Sequence, residues 1–579
     1  MSWPQSIPPR LSTGIGAHIT HLLRALGTWR GKRRASPAWT VVVALILAVV
    51  ALPVVTVLLL ALAPADNIWP HLARTVLPGS LARTFVLAAG AGALSFAIGT
   101  TAAWLITMYR FPGREILDRL LVLPLAVPTY IVAYCYVELL DYAGPLQSGL
   151  RSLFGWQGAR DYWFPEVRSL PGAVLIFSAV LYPYVYLIAR ASFAQQSVCV
   201  LEVARTLGRS PLGAFVEVAL PLARPALAAG VALVVMECLN DLGAVQYLGV
   251  ETLSASIYAT WMQRSNLGGA AQIAAVTLLI VVALLAAERR ARGGARVHHT
   301  TDRYRSIPFH DLEGWKGITA ALLAAVPFVL GFVVPLLVIL QGAATHASGA
   351  IAGGFLAAAA NSLALSGTAA AAAIAIALML GYARRVAANG FVRPAVRLAG
   401  VGYAIPGTVL AIGLLYPLAA FDNHIDAILR VAFGVSSGLL LSGSLFAIAL
   451  AYVIRFLAVA HGQIEAGLDR ISPSLDAAAR TLGESALSTL WRVHLPLLLA
   501  PLGAAALLVF VDCMKELPAT LLLRPFNFET LATHVYGLAS IEQLEQAALG
   551  ALTIVLAGLA PVLLLHKAIA GGRPGSISA

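Results

Sequence analysis

Asp512, Lys515 and Glu516 stand within five residues of one another in "VDCMKELPATLLLRP" (Val511–Pro525), inside a long apolar region. Charges in hydrocarbon are costly, and those that occur face a protein interior or a water-filled path. A matching stretch lies 275 residues earlier, where "ECLNDLGA" (Glu237–Ala244) aligns with "DCMKELPA" (Asp512–Ala519). The alignment sets Glu237, Asn240 and Asp241 against Asp512, Lys515 and Glu516. Each stretch carries two acids at i,i+4, which puts both carboxylates on one helical face. Helices meeting across a pseudo-twofold axis would bring four carboxylates and one lysine together, formally net −3. Carboxylate oxygens suit hard cations. The residues alone leave three readings open: the lining of a cation pathway, a set of internal ion pairs such as Asp512 with Lys515, or a partner-contact surface at the outer mouth. No metal ligand set is assigned. Glu138 and Asp141, at i,i+3 near the outer end of the third predicted helix, read as an interfacial solvated pair.

These residues need a membrane-spanning scaffold, and the composition provides one. Hydrophobic residues make up 59% of 579 and charged residues 11%, against about a quarter charged in soluble chains. Runs long enough to span a bilayer as helices fall at 38–63, 81–108, 116–140, 170–192, 223–248 and 269–288, then at 317–341, 358–383, 396–419, 434–459, 497–523 and 543–569. The expected fold is therefore an all-α polytopic membrane protein of about twelve transmembrane helices in two six-helix repeats. A basic tail (1–37) precedes the first repeat (38–288, core 81–288). A basic linker (289–316) leads to the second repeat (317–569, core 358–566) and a short tail (570–579).

The polar stretch before the first apolar run is too long for a signal peptide, so that run is expected to stay as an anchor. With the N-terminal tail inside, 30 of the 39 Lys and Arg fall on inside segments and 8 outside, leaving Lys515 within a helix. Both termini are then cytoplasmic, and the net charge of +12 reflects topology rather than nucleic-acid binding. Cys135, Cys199, Cys238 and Cys513 form no CxxC pair and read as packing residues.

The halves match in order. "RTFVL" from Arg83 aligns with "NSLAL" from Asn361, and "RLLVLPLAVP" (Arg119–Pro128) with "RLAGVGYAIP" (Arg397–Pro406), both at an offset of 278. "ARTLG" recurs at Ala204–Gly208 and Ala479–Gly483, at an offset of 275. Six helices per unit is an even number, so the repeats should run parallel about an axis along the membrane normal, with a pathway between them.

Two inside loops have a fixed pattern: each holds "ARTLG" and then "LP", with Pro221 thirteen residues after Gly208 and Pro496 thirteen after Gly483. "VLEVARTL" reads as a short amphipathic helix with Glu202 and Arg205 on one face. Gly208 and Gly483 end such helices, where a left-handed residue is wanted. A short rigid helix under a bundle either passes force from a cytoplasmic partner or merely caps the bundle.

"EVARTLGRSPLGAFVEVALPLARP" (Glu202–Pro225) resembles the EAA loop of binding-protein-dependent ABC importer permeases. The likeness to fused type I permeases covers nearly the whole chain beyond residue 37. It implies that Glu202, Ala204, Arg205, Gly208 and Pro221, with Ala479, Arg480, Gly483 and Pro496, form loops that dock on an ATPase subunit. The second loop departs from the pattern: Ala477 stands where Glu202 does and Asp476 lies one residue earlier, which implies either two unequal ATPase contacts or substitution by Asp476 from a shifted position. "KELPATLLLRPFNFETLATHVY" (Lys515–Tyr536) and "NDLGAVQYLGVETLSASIY" (Asn240–Tyr258) resemble ferric-iron importer permeases, while fused thiamine permeases share a similar phrase.

The resemblance implies a bacterial inner-membrane permease subunit, not an enzyme, working with a cytoplasmic ATPase dimer and an extracytoplasmic binding protein. The chain has no P-loop: the one Gly-Lys pair, Gly31-Lys32, has Leu26 and Arg33 at the positions that need Gly and Ser or Thr. ATP is therefore expected on the partner and no cofactor on this chain. An ion-coupled secondary transporter is the competing class, and it does not require the paired loops. An intramembrane enzyme lacks support, with neither HExxH nor GxSxG present.

Overall fold

The computed structural model describes residues 37–195, 206, 208–292, 310–387 and 389–570. Glu202, Ala204 and Arg205, with the helix expected around them, lie outside the described residues, as do nearly all of the N-terminal tail and most of the linker. Among the described residues the chain is helical almost throughout. The strand pairing there is one two-residue parallel bridge, Tyr109–Arg110 with His310–Asp311. Among the described residues ten helices are long and apolar enough to cross a membrane, and up to twelve spans result if each of two sharply bent helix pairs is counted as one. The all-α polytopic fold class holds.

The first half comprises α1 (Pro37–Leu62), α2 (Leu77–Met108), α3 (Thr129–Leu140), α4 (Pro145–Phe154), α5 (Leu170–Gln195), α6 (Leu220–Asn240), α7 (Gly243–Tyr247), α8 (Leu253–Tyr258) and α9 (Leu267–Arg292). The second comprises α10 (Trp315–Phe328), α11 (Val334–Ala350), α12 (Leu356–Val386), α13 (Gly407–Phe433), α14 (Leu445–Arg470), α15 (Pro473–Thr481), α16 (Leu499–Met514), α17 (Pro518–Leu523), α18 (Leu531–Ser540) and α19 (Leu544–Ala570).

Several expected spans are broken, and the breaks build the site. The run at 223–248 is α6 and α7 with Asp241 extended between them. The run at 497–523 is α16 and α17, restarting at Pro518, whose missing N–H suits a first helical turn. The run at 116–140 holds a 3-10 turn, Leu123–Ala126, and an extended Val127 before α3. Val127 precedes Pro128, which disfavours helical backbone at the residue before it. Ile405 before Pro406 repeats the device, so α13 starts at Gly407 and runs to Phe433. The expected spans 396–419 and 434–459 are thereby displaced towards the C-terminus, to α13 and α14.

The duplication is written in hydrogen bonds as well as in letters. Leu253 N donates to Thr84 Oγ1 at 2.9 Å, and Leu531 N donates to Ser362 Oγ at 2.7 Å, each residue shifted by 278. Thr252 and Thr530, related by the same shift, cap α8 and α18. The two halves also interlock. The first span of each half packs on the last helix of its own half and crosses onto the other half: α1 onto α13, and α11, which continues from α10, onto α3. The crossing of α1 depends on Gly413, where a Cβ would come within 2.2 Å of the Pro53 carbonyl oxygen.

Candidate functional site

The four breaks meet where the halves meet. A cavity of about 100 Å³ there is lined by Glu237, Asn240 and Asp241 from the end of α6 and by Asp512, Lys515 and Glu516 from the end of α16. All six residues singled out from the repeat share this one cavity. Tyr130, Tyr184, Tyr403 and Arg455 complete its polar wall.

Each acid has a defined local role. Asp241 Oδ1 accepts from Ala244 N at 2.8 Å, and its repeat counterpart Glu516 accepts through Oε1 from Ala519 N at 3.0 Å. Both carboxylates thus satisfy backbone donors exposed by the helix break, as N-cap side chains do. Glu237 Oε1 accepts from Tyr403 Oη at 3.0 Å, and Asn240 Oδ1 accepts from Gly407 N at 3.0 Å. These two bonds tie the end of α6 to the break before α13, across the two halves. Lys515 Nζ lies 2.9 Å from Asp512 Oδ1, the internal pair that the i,i+3 spacing allowed.

Arg455, in the middle of α14, changes the charge count. Its Nε lies 3.3 Å from Glu516 Oε2, and both side chains are almost wholly buried, at 6% and 5% exposure. The cavity therefore holds four acids and two bases, formally net −2 rather than the −3 expected from six residues. Both bases come from the second half. The expected span 434–459 put Arg455 at an inner helix end and counted it as a topology charge. The observed helix, Leu445–Arg470, puts it mid-helix. Among the described residues no three His, Cys, Asp or Glu side chains are grouped to hold a metal. The carboxylates line the cavity without forming a ligand cage.

One side of the cavity is closed by close packing. Leu242 and Leu517 are buried, at 0% and 1% exposure. A Cβ at Gly243 would meet Leu517 Cδ2 at 2.6 Å and Tyr130 Cβ at 2.9 Å. The halves touch here backbone to side chain.

The two patterned loops lie away from the cavity. Gly208 and Gly483 have φ of +81° and +83°, the left-handed conformation expected of them, and a Cβ at either would meet nothing within 4 Å. Gly483 N donates to Arg480 O and Glu484 N to Ala479 O, both at 3.0 Å, closing the end of α15. The Ser488 hydroxyl, followed by Arg492, holds the Glu484 carboxyl below its ordinary value. Pro221 sits in the first turn of α6, which continues without a break. Pro496 lies in the short helix Leu495–Leu497, after which the chain bends by 76° into α16.

Asp476, the residue expected to substitute for Glu202 from a shifted position, lies in the first turn of α15. Its side chain is only 17% exposed and is turned into the protein. Asp476 Oδ2 accepts from Arg385 Nη2 at 2.7 Å and Nε at 3.0 Å, and Oδ1 lies 3.0 Å from His494 Nε2. Arg385 also donates to Leu468 O at 2.6 Å and Ile471 O at 2.9 Å. The cluster fastens α15 to the ends of α12 and α14. Arg480 Nε donates to Asp476 O at 3.1 Å, and Ala479 is buried. Glu138 and Asp141 stay outside the axial cavity. Glu138 lines a separate cavity with His346 and Glu545, and Asp141 lies 3.6 Å from Arg168.

The chain is thus an all-α polytopic membrane protein with a polar cavity at the seam between its two halves. Residues 95–289 match the family described as the binding-protein-dependent transport system inner membrane component. Over 485 residues, 82% of its length, the chain is 27% identical to the Fe(3+)-transport system permease protein FbpB 2 of Haemophilus influenzae, of which it covers 87%. It is 30% identical over 191 residues to the sulfate transport system permease protein CysT of Escherichia coli, a match spanning 31% of this chain and 64% of that one. It is 27% identical over 190 residues to the molybdenum transport system permease protein ModB of Escherichia coli, spanning 32% and 80%. In length and duplication the chain resembles the fused permeases of the ferric-iron family.

Proposed function

We propose that this protein is the membrane-spanning subunit of an ATP-driven importer in the bacterial inner membrane, and that it passes ferric iron between its two halves. The observation that carries the reading is the convergence of Glu237, Asp241, Asp512 and Glu516 on one cavity at the seam between the repeats. Fe(III) is a hard cation, and hard cations favour carboxylate oxygen. The long similarity to a protein named for Fe(3+) transport supports the same substrate.

Energy comes from a partner, since the chain has no P-loop. A cytoplasmic ATPase dimer would dock on the loops around Gly208 and Gly483, and an extracytoplasmic binding protein would deliver the cargo. Closure of the ATPase would pull on these loops. The latch at Asp476 would carry that pull from α15 into α12 and α14 as one body. The halves would rock, and the contact of Leu517 on Gly243 would part to admit cargo. The excess of Lys and Arg on one set of loops supports cytoplasmic termini.

The test is uptake of ⁵⁵Fe into proteoliposomes carrying this chain with its ATPase and binding protein. Uptake should require ATP and should resist excess thiamine. Uptake driven by an ion gradient without the ATPase, or displaced by thiamine, would sink the reading.

A further inference from the structure

The bases in the cavity, not the acids, carry information beyond the cation. Arg455 is 5% exposed and lines the cavity. Its Nε and Nη1 make no hydrogen bond with any described residue, although Nε approaches Glu516 Oε2 at 3.3 Å. A buried guanidinium whose donors are unmet is costly, because each buried polar group normally finds a partner. The guanidinium is also held in place. It lies 5.6 Å from the centre of the Phe456 ring, and a Cβ at Gly407 would come within 2.7 Å of Nη1. Lys515, the second base, is 30% exposed, on the same cavity wall.

We propose that Arg455, assisted by Lys515, forms an oxyanion subsite in the axial cavity, so that cargo passes as a cation paired with a small oxyanion rather than as a bare cation. The inference rests on the ferric-iron reading for the cation and on Arg455 for the anion. Planar guanidinium donors match carboxylate and phosphate oxygens. The charge count agrees. The four acids and two bases lining the cavity sum to −2. A trivalent cation alone would leave +1, and a singly charged oxyanion with it returns the site to zero. In the empty cavity Glu516 and Asp512 act as internal counter-ions for the two bases. An arriving cation takes these carboxylates, and the oxyanion takes the freed donors.

The experiment measures retention of [³²P]phosphate and of ⁵⁵Fe(III) on the purified full chain, for wild type, Arg455→Met and Glu516→Gln. Wild type should retain phosphate, and Arg455→Met should lose at least tenfold of that retention. Glu516→Gln, which frees the guanidinium, should raise it severalfold at a wild-type unfolding midpoint, and the rise should vanish when Arg455→Met is added. Phosphate should also raise iron retention by wild type but not by Arg455→Met. No phosphate on wild type, equal phosphate on Arg455→Met, or iron retention indifferent to phosphate would overturn the subsite while leaving the ferric reading standing. Phosphate held through Arg455 with no iron held under any condition would support the subsite and overturn the ferric reading instead.

Discussion

Leu517 rests on the backbone of Gly243 so closely that no larger residue fits at 243: a Cβ there would lie 2.6 Å from Leu517 Cδ2. The two residues belong to opposite halves and sit just past the helix breaks that carry the acids. Their contact closes one side of the axial cavity. Overpacking a close-packed contact costs about 1–3 kcal/mol. Gly243→Val should therefore wedge the halves apart. The expected outcome is a leak, read as dissipation of a preset proton gradient by proteoliposomes holding the variant alone. Leu517→Ala should leak as well, by thinning the seal from the other side. Tight vesicles with both variants would show that the closure lies elsewhere.

The repeat is the most legible feature in the sequence, and it marks six of the cavity residues. Offsets of 275 and 278 set Asp241 against Glu516 and Thr84 against Ser362. The structure gives each pair an equivalent hydrogen bond. Arg455 was not legible for a physical reason. Hydropathy marks the apolar run, not where a helix starts, and the break at Pro406 pushes α13 and α14 towards the C-terminus. A charge assigned to a helix end was in fact mid-helix. The breaks after α6 and α16 were harder still to read, since Asp241 and Glu516 accept from the backbone of the next helix and Pro518 alone marks a restart. The latch was hidden because Arg385 and Asp476 are 91 residues apart in the chain and no spacing in the sequence pairs them.

That latch yields the second prediction. Arg385 and Asp476 are each about 16–17% exposed, and Arg385 gives two of its nitrogens to the carboxylate. Hydrogen bonds to charged groups contribute about 1.5–3 kcal/mol when one partner is removed. Asp476→Ala should lower the unfolding midpoint and speed hydrogen exchange across α15, while the importer still hydrolyses ATP with less iron moved per ATP. A cycle with Arg385→Ala should show the two effects to be less than additive. Additive effects would mean that the pair does not act as a unit.

At the loop glycines the obstacle is conformation, not space. Gly208 and Gly483 are left-handed, and a Cβ at either would meet nothing nearby. Left-handed backbone costs about 1–2 kcal/mol for most side chains, and Asn bears it better. Transport per ATP should therefore fall in the order Gly, Asn, Ala, Val at position 483, with Val worst although nothing crowds it. An order that followed side-chain volume without sparing Asn would point to a steric clash with the ATPase instead.

The acids can be separated into charge and structure. Glu516 Oε1 accepts from Ala519 N, and glutamine keeps that acceptor. Losing an N-cap acceptor costs about 1 kcal/mol, so Glu516→Ala should destabilise the protein where Glu516→Gln does not. Asp512→Asn with Glu516→Gln keeps both side-chain shapes while moving the cavity from a formal −2 to 0. Iron uptake by this double variant should fall at least tenfold, at wild-type expression and with an unfolding midpoint within a few degrees of wild type. The binding protein should still dock with unchanged affinity, measured by surface plasmon resonance on the assembled importer. Lost docking with intact uptake per bound complex would return these residues to the partner-contact reading that the sequence left open.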